Sequence, residues 1–359
     1  MCQLRLGRWV VAVLVTTSLP VLGDENKALP EPPELPKAGP SKSDEPLAES
    51  FSFAKAAEYL DRAAVQWHQA RKCAACHTTY PFMMARPLVG SPTDPTLVWV
   101  RSFLEARVEG WDRPRMGAGL PGQDDEAITE IVATAATLAF DDARRGKLHA
   151  TTRKALDRMW TVQRKDGSFD WNKHLLPPQE LDEYFGVVYA AIGVGCAPDG
   201  YAKSDGAKDG VARLKKYLTD NKAPNLHHQM WLLWASTKLN GLLTAEAKER
   251  VVRNIMAKQR KDGGWNLPSL GDWKRLDDSP NDPNADSDGY ATGLAIFVLR
   301  QAGVKADDKQ LRRGCEWLKA NQRVSGRWFT RSLNNDSAHY NTAAGTAFAV
   351  MALRECGEK

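Results

Sequence analysis

Two cysteines and a histidine lie within five residues, in the segment Cys73-Ala74-Ala75-Cys76-His77. At this C-x-x-C-H spacing, both thiols can add to the vinyl groups of one haem, and the next imidazole lies under the iron as its proximal ligand. The motif therefore predicts covalent haem c. A disulfide between Cys73 and Cys76 is the alternative, but no βαβ pattern surrounds the pair. Half of a zinc site would need a second Cys/His pair at a suitable spacing, and none is evident.

The residues after the motif contain a candidate for the second axial ligand of the iron. Met116 stands 39 residues after His77, in a loop of Gly and Pro that precedes an acidic helix start. This order of motif, variable middle, loop methionine and final helix resembles small haem c domains over roughly residues 53–140. The resemblance implies that Met116 is the thioether ligand, which would raise the reduction potential of the iron.

Three other side chains near the motif are weaker candidates for that position. Met83 and Met84 follow His77 by only six and seven residues, which is cramped for reaching the opposite face of the haem. His68 lies in the preceding helical pattern and is predicted to be a surface residue. A five-coordinate iron with Met116 in a flexible loop is the remaining alternative.

The N-terminus predicts export, and haem is attached to such motifs outside the cytoplasm. Arg5 and Arg8 precede an apolar stretch that ends at a small residue, which is typical of a signal peptide over residues 1–23. The stretch is too short to span a membrane, so the mature chain is predicted to have no membrane span and to lie in the periplasm or outside the cell. Residues 24–50 are rich in Pro and charge and are predicted to form a disordered linker.

The composition excludes several classes of protein. Of 359 residues, 43% are hydrophobic and 26% charged, with a mean hydropathy of −0.46, which is neither collagen-like, disordered throughout nor that of a multi-span membrane protein. The net charge of +5 comes without a long run of Lys or Arg, so nucleic acid is not predicted as a partner. Outside the signal and the motif stand Cys196, Cys315 and Cys356, of which the last two could form a disulfide in an oxidising compartment.

A repeat organises the rest of the chain. It reads Gln163-Arg-Lys-Asp-Gly-Ser-Phe169, Gln259-Arg-Lys-Asp-Gly-Gly-Trp265 and, more loosely, Gln322-Arg-Val-Ser-Gly-Arg-Trp328. Each copy follows an amphipathic helical pattern and precedes a helix of small apolar residues. The Gly supplies the turn, and the aromatic ring covers it. Such helix pairs cannot bury both faces alone, so they must stack or close into a ring.

Gln-x-x-x-Gly-x-[Trp/Phe] after a helix is similar to the QW motif of squalene–hopene cyclases, and the resemblance covers about residues 150–356. It implies an all-α fold, the α/α toroid of terpenoid cyclases and protein prenyltransferases, over residues 146–359. Residues 51–145 would then form a cytochrome c-like segment on its N-terminal side. Two arrangements stay open: a separate domain, or part of the toroid with helix Phe53–Ala70 outside and Asp125–Asp142 as its inner partner.

The resemblance also implies chemistry that the residues support only in part. Squalene–hopene cyclases protonate an alkene with an Asp-x-Asp-Asp-Thr-Ala stretch, and this chain has Asp286-Ser-Asp288-Gly-Tyr-Ala at a comparable helix start. Gly and Tyr replace the third Asp and the Thr, so Asp286 and Asp288 are weak catalytic candidates and we do not expect a cyclase. The ordinary interpretation of Asp288 is a helix N-cap.

A metal site in the toroid is a further alternative. Protein prenyltransferases bind zinc through Asp, Cys and His, for which Cys315 and His339 with Asp286 or Asp288 are the nearest residues. The long Pro/Asp-rich insertion 272–286 has the length of a functional lid. Its aspartates do not match the spacing of an EF-hand calcium loop.

The predicted function is that of an exported c-type haem protein on an α/α toroid, passing electrons to a partner protein or binding a ligand at the haem iron. Two alternatives remain. One is a terpenoid-cyclase-like enzyme or a toroid that binds a hydrophobic small molecule in its cavity. The other is a non-catalytic interaction scaffold.

Overall fold

The structure, a computed structural model, describes residues 31–71, 73–111, 125–173 and 176–359. These ranges contain twelve α-helices and no β-strand, which confirms the all-α prediction. The helices are α1 (Phe53–Arg71), α2 (Thr79–Ala85), α3 (Pro95–Gly110), α4 (Asp125–Arg145), α5 (Ala150–Thr161), α6 (Glu183–Cys196), α7 (Lys208–Asp220), α8 (Leu226–Lys238), α9 (Ala245–Ala257), α10 (Gly289–Gln301), α11 (Lys309–Ala320) and α12 (Asn341–Glu355).

The even-numbered helices form a closed inner ring. Along the ring α2 packs on α4, α4 on α6, α6 on α8, α8 on α10, α10 on α12, and α12 returns to α2. Small residues allow this close packing: a Cβ added to Gly193 of α6 would lie 2.3 Å from the Cα of Ala136 in α4. The inner helices α6, α10 and α12 are buried almost throughout, because they have neighbours on all sides.

The odd-numbered helices surround this ring. Each bears a polar face and buries one apolar stripe; in α11 the stripe is Leu311, Gly314, Cys315 and Leu318. Helix α1 contacts both α2 and α12, so it lies beside the last inner helix as well as the first. The result is a ring of helix pairs, the arrangement of an α/α toroid.

The repeated glutamines tie successive outer helices together. In each copy the side-chain amide donates to the carbonyl of the Gly in its own turn and to a carbonyl at the start of the next outer helix. The acceptors are Gly167 and Gly210 for Gln163, Gly263 and Gln310 for Gln259, and Gly326 and Ser52 for Gln322. Ser52 directly precedes α1, so the third copy joins the last outer helix to the first and closes the outer ring.

The aromatic residues of the repeat bond to the preceding outer helix. Trp265 and Trp328 are fully buried, and their indole N–H groups donate to the carbonyls of Ile255 and Leu318 at 2.8 and 2.7 Å. Phe169, at the same place in the first copy, is also fully buried but has no polar atom to donate. In the second and third copies, a single Trp side chain thus joins the turn to the outer helix that precedes it.

The pairing expected for α1 is wrong. Its inner neighbour in the chain is the short helix α2, and the further outer helix α3 precedes α4, so residues 125–142 belong to the next pair. Residues 79–85 are too few for a recognisable helical period, which is why the sequence pattern missed α2.

The Pro-rich segment also differs from the prediction of a disordered linker. Within its described part, residues 31–50, the stretch 38–48 lies against the third turn of the repeat: Ala48 N donates to Gln322 O, and Val324 N donates to Pro46 O. Arg327 binds Glu45 at 2.8 Å. Proline removes donors but leaves carbonyl acceptors, so a segment without its own core can still dock on a partner surface. The predicted signal peptide, residues 1–23, lies outside the described residues.

Within the described part of the chain, no helix combines the length and apolar character needed to cross a bilayer.

Candidate functional site

The connections that lead into the inner helices come together at one end of the ring. Asn341, at the start of α12, bonds to Pro177 O before α6, and Leu276 N before α10 donates to Asn334 O before α12. The C-x-x-C-H segment leads into α2 and therefore belongs to this end. The side chains just before, or in the first turn of, each inner helix can meet there.

The loop that carries the motif is held by the start of α2. Ala75 N donates to the Thr79 hydroxyl at 3.0 Å, and Tyr80 N donates to Ala75 O at 3.2 Å. The buried His77 ring places Nδ1 2.8 Å from the Thr78 hydroxyl. The motif is therefore a structured turn into an inner helix.

Two aromatic rings enclose His77. Trp67 of α1 meets it edge-on at a centroid distance of 4.6 Å, and Tyr340 lies 5.0 Å away on the α12 side. Burial lowers the pKa of His77 to about 4, because this apolar setting disfavours the imidazolium. The imidazole is neutral at pH 7, the form in which histidine binds metals, and its Nε2 makes no hydrogen bond to a described residue.

Both cysteines of the motif are free thiols, in different surroundings. Cys76 lines the centre of the ring, where burial and the neighbouring Glu180 carboxylate raise the pKa of its thiol. Burial also raises the pKa of the Cys73 thiol, which lies near Arg107 and Arg71. Both sulfurs are protonated at neutral pH.

The central cavity of the ring is nearly filled. Its free volume is about 10 Å³, roughly the space of one water molecule. Its walls are mostly aromatic and include Cys76, Tyr80, Trp171, Phe185, Trp231 and Phe348. The hydrophobic ligand considered for this cavity would have to displace these rings.

The candidate acids Asp286 and Asp288 do not form a pair aimed into the ring. Asp288 is the N-cap of α10: one carboxylate oxygen accepts from Ala291 N at 2.9 Å and the other from Leu267 N at 2.5 Å. Burial raises the pKa of Asp288 to about 6, against these hydrogen bonds. Asp286 is exposed. Asp288 therefore has the geometry of a helix N-cap, which was the alternative to a catalytic acid.

The zinc set considered from the sequence is not brought together. Cys315 lies on the outer helix α11 next to Cys356, and both are free thiols. His339 lies in the loop before α12, where its Nδ1 accepts from Ser332 N at 3.3 Å. The described ranges hold no cluster of three His, Cys, Asp or Glu side chains placed to bind a metal.

The candidates for the second axial position have three different locations. Met116 lies outside the described residues. Met83 and Met84 are fully buried in α2. His68 is not a surface residue, as was expected, but is 4% exposed and packed against Phe103 and Trp99 at centroid distances of 4.2 and 5.1 Å. It lies on the side of α1 that meets α3, which a single-helix pattern did not reveal.

A buried polar cluster at the centre of the ring was missed. Tyr290 Oη accepts from Gln179 Nε2 at 3.0 Å and lies 2.9 Å from His227 Nε2. Trp231 Nε1 also donates to that nitrogen, so Nε2 is an acceptor and the proton of His227 resides on Nδ1. Burial lowers the pKa of His227 well below its usual range and keeps it neutral. No sequence motif contains His227; its place in the first turn of an inner helix was the available signal.

Comparisons with known proteins identify a fold and no family. No protein-family model matches the chain, and a search of curated proteins found no match. Among solved structures, a glycosidase variant superposes with a TM-score of 0.51 at 9% identity, covering 85% of this chain and 98% of that one. At this identity the likeness concerns the fold alone. Over its described residues the chain is all-helical, with the architecture of that glycosidase structure and consistent with an α/α toroid.

Proposed function

We propose that this chain is an exported c-type haem protein built on an α/α toroid. Cys73 and Cys76 hold the haem through thioether bonds, and His77 is the proximal ligand. Met116 is the second ligand that the resemblance to small haem c domains implies. The function is electron transfer to a partner protein or ligand binding at the iron. The observation that supports it best is the C-x-x-C-H turn, with two free thiols beside a neutral, oriented imidazole.

The side chains present fit this group. Thioether formation needs two reduced thiols, and both are free. A metal-binding histidine commonly fixes its ring by a hydrogen bond through the other nitrogen, and the Thr78 hydroxyl lies 2.8 Å from Nδ1 of His77. In the tautomer protonated at Nδ1 this bond would run from His77 to Thr78, and Nε2 would be left to bind the iron. The bound haem would supply one-electron redox chemistry or an iron site for a small ligand.

The surroundings of His77 set two properties of the site. Trp67 and Tyr340 restrict the rotation of the imidazole, so its orientation is established before any ligand binds. The same burial keeps the ring neutral, so a proton does not compete for Nε2 above about pH 4. Thr78 therefore orients the His77 imidazole, and the rings of Trp67 and Tyr340 enclose it.

The test is covalent haem in protein matured outside the cytoplasm. The wild-type chain is expected to retain haem after denaturation and to give a c-type pyridine haemochrome spectrum. The double variant Cys73→Ser/Cys76→Ser should lose both signals. Cys196→Ser, which changes a cysteine of α6 away from the motif, should keep them. Wild-type protein without covalent haem, in which mass spectrometry finds Cys73 and Cys76 free or bridged to each other, would contradict the proposal.

A further inference from the structure

Two cysteines outside the C-x-x-C-H segment lie side by side. Cys315 is in the outer helix α11, and Cys356 is the C-cap of the inner helix α12. Both line the same surface cavity, and each thiol is a hydrogen-bond partner of the other. The last outer helix and the last inner helix thus bring their sulfur atoms together.

The backbone that carries Cys356 is ordered. After it the chain leaves α12 through Gly357, whose φ of +82° is the left-handed conformation that commonly ends a helix. Glu358 N then donates to Leu353 O at 3.0 Å, back inside the helix. The Cys356 sulfur is therefore held by a defined helix-terminating turn and not by a loose C-terminal tail.

A second contact joins the same two elements. Lys319 stands four residues after Cys315, on the same face of α11. Its Nζ lies 3.0 and 3.1 Å from the two carboxylate oxygens of Glu358, which stands two residues after Cys356. The ion pair and the two sulfurs are therefore successive contacts between α11 and the end of α12, so the packing of the helices keeps the thiols together.

The two thiols differ in exposure and in acidity. Cys315 is 4% exposed, whereas Cys356 is half-buried and lines a cavity of about 420 Å³. Exposed charged side chains also line this cavity, so solvent reaches it: Asp307, Arg312 and Glu316. The hydrogen bond with Cys315 lowers the pKa of the Cys356 thiol, and the Arg300 guanidinium acts in the same direction. That hydrogen bond and burial raise the pKa of Cys315. Cys356 is therefore the sulfur that an oxidant meets first as a thiolate.

We propose that Cys315 and Cys356 form a disulfide that covalently joins α11 to α12. The Cys356 thiolate attacks one sulfur of a small disulfide, such as oxidised glutathione, and one glutathione thiolate leaves. Cys315 then loses its proton and attacks the Cys356 sulfur, and the second glutathione thiolate leaves. The protein gives up two protons and two electrons, and the small disulfide takes up both as two thiols. These steps involve neither Cys73 nor Cys76, so the proposal stands independently of the haem.

The bond lies on the helix at which the ring closes. Helix α12 packs on α10, on α2 and on α1, so its position sets how the last helix pair meets the first. About 40 residues separate the two cysteines. Closing a loop of that length restricts the unfolded chain, which should raise the equilibrium constant for folding about 100- to 1,000-fold.

The first experiment identifies the bond. Full-length protein is incubated with oxidised glutathione, its remaining thiols are alkylated without reduction, and its tryptic peptides are analysed by mass spectrometry. Trypsin releases residues 314–319 and 355–359, which we expect as one linked species. Cys196→Ser removes a thiol whose pKa burial raises to about 11; it is the control and should form the same link. Recovery of the two peptides separately, alkylated or each bound to glutathione, overturns the proposal.

Single variants test the order of the two steps. Cys315→Ser should accumulate glutathione on Cys356, because the thiol that completes the exchange is missing. Cys356→Ser should leave Cys315 unmodified over the same time, because that thiol is buried. The opposite pattern overturns Cys356 as the attacking sulfur.

Chemical denaturation tests what the bond does to the fold. Oxidised wild-type protein is measured with and without a thiol reductant, and Cys315→Ser/Cys356→Ser is treated in the same way as the control. We expect the reductant to lower the equilibrium constant for folding of the wild type about 100- to 1,000-fold and to leave that of the double variant unchanged. Equal stability of wild-type protein in which mass spectrometry finds the link present and absent overturns the role of the bond in holding α11 to α12.

Discussion

Gly326→Ala tests how the outer ring closes. Gly326 has φ +93°, and a Cβ there would lie 2.1 Å from the carbonyl oxygen of Lys55 in the first turn of α1. Both obstacles are backbone features, so side-chain rotation cannot relieve them. A non-glycine residue in this left-handed region costs about 1–2 kcal/mol. Forcing the turn away from α1 adds an overpacking cost of about 1–3 kcal/mol. We expect a total loss of about 2–5 kcal/mol in the free energy of unfolding.

Gly303→Ala separates these two costs. Gly303 has the same φ of +93°, but a Cβ there would meet nothing within 4 Å. It should therefore lose only the conformational cost of about 1–2 kcal/mol. Chemical denaturation of both variants, with the wild type alongside, measures the difference, which we expect to be about 1–3 kcal/mol. Equal destabilisation of the two variants would refute the close approach between the third turn and α1.

Three further predictions concern single side chains. Burial raises the pKa of Asp288 from 3.8 to about 6, so the folded chain binds this proton more tightly than the unfolded chain does. This difference in pKa contributes about 3 kcal/mol to the free energy of unfolding below pH 4, and the contribution is lost as pH rises through 6. Asp288→Asn should therefore flatten the dependence of the free energy of unfolding on pH in this range. An unchanged slope would show that other groups cause it. His68→Leu removes a ring whose two nitrogens have no hydrogen-bond partner among the described residues, so thermal unfolding should show equal or greater stability, by up to about 2 kcal/mol; a clear loss would reveal a partner for the ring. Arg327→Ala should make residues 38–44 sensitive to limited proteolysis while the helices persist. Resistance equal to that of the wild type would show that other contacts hold this segment.

Local spacing predicted the elements well, because helices and tight turns depend on residues a few positions apart. The helix predicted over Phe53–Ala70 is observed over Phe53–Arg71, and the helix of small apolar residues predicted after the second copy of the repeat is observed over Gly289–Gln301. The N-cap interpretation of Asp288 also holds, since the capping acceptor and its donor are three residues apart. The short helix α2 was missed because seven residues do not establish a period.

The sequence predicted candidate site residues only where they lie close together in one segment of the chain. The C-x-x-C-H motif names its own residues, and the structure adds what surrounds them: Trp67 and Tyr340 at the imidazole and Glu180 at the Cys76 thiol. None of these neighbours is signalled by the motif. The polar cluster at His227 was overlooked for the same reason, since Tyr290 lies 63 residues further along the chain.

Residue spacing alone establishes that the chain is helical, that its turns repeat, and that one segment carries two thiols and an imidazole in the order C-x-x-C-H. The packed fold shows in addition that Gln322 reaches Ser52, 270 residues away, to close the ring. It also decided that a Pro-rich segment becomes the wall of a groove, and that aromatic rings fill the centre. This division arises because a turn or a cap depends on its immediate neighbours. A cavity or a ring closure depends instead on how the twelve described helices share one packed volume.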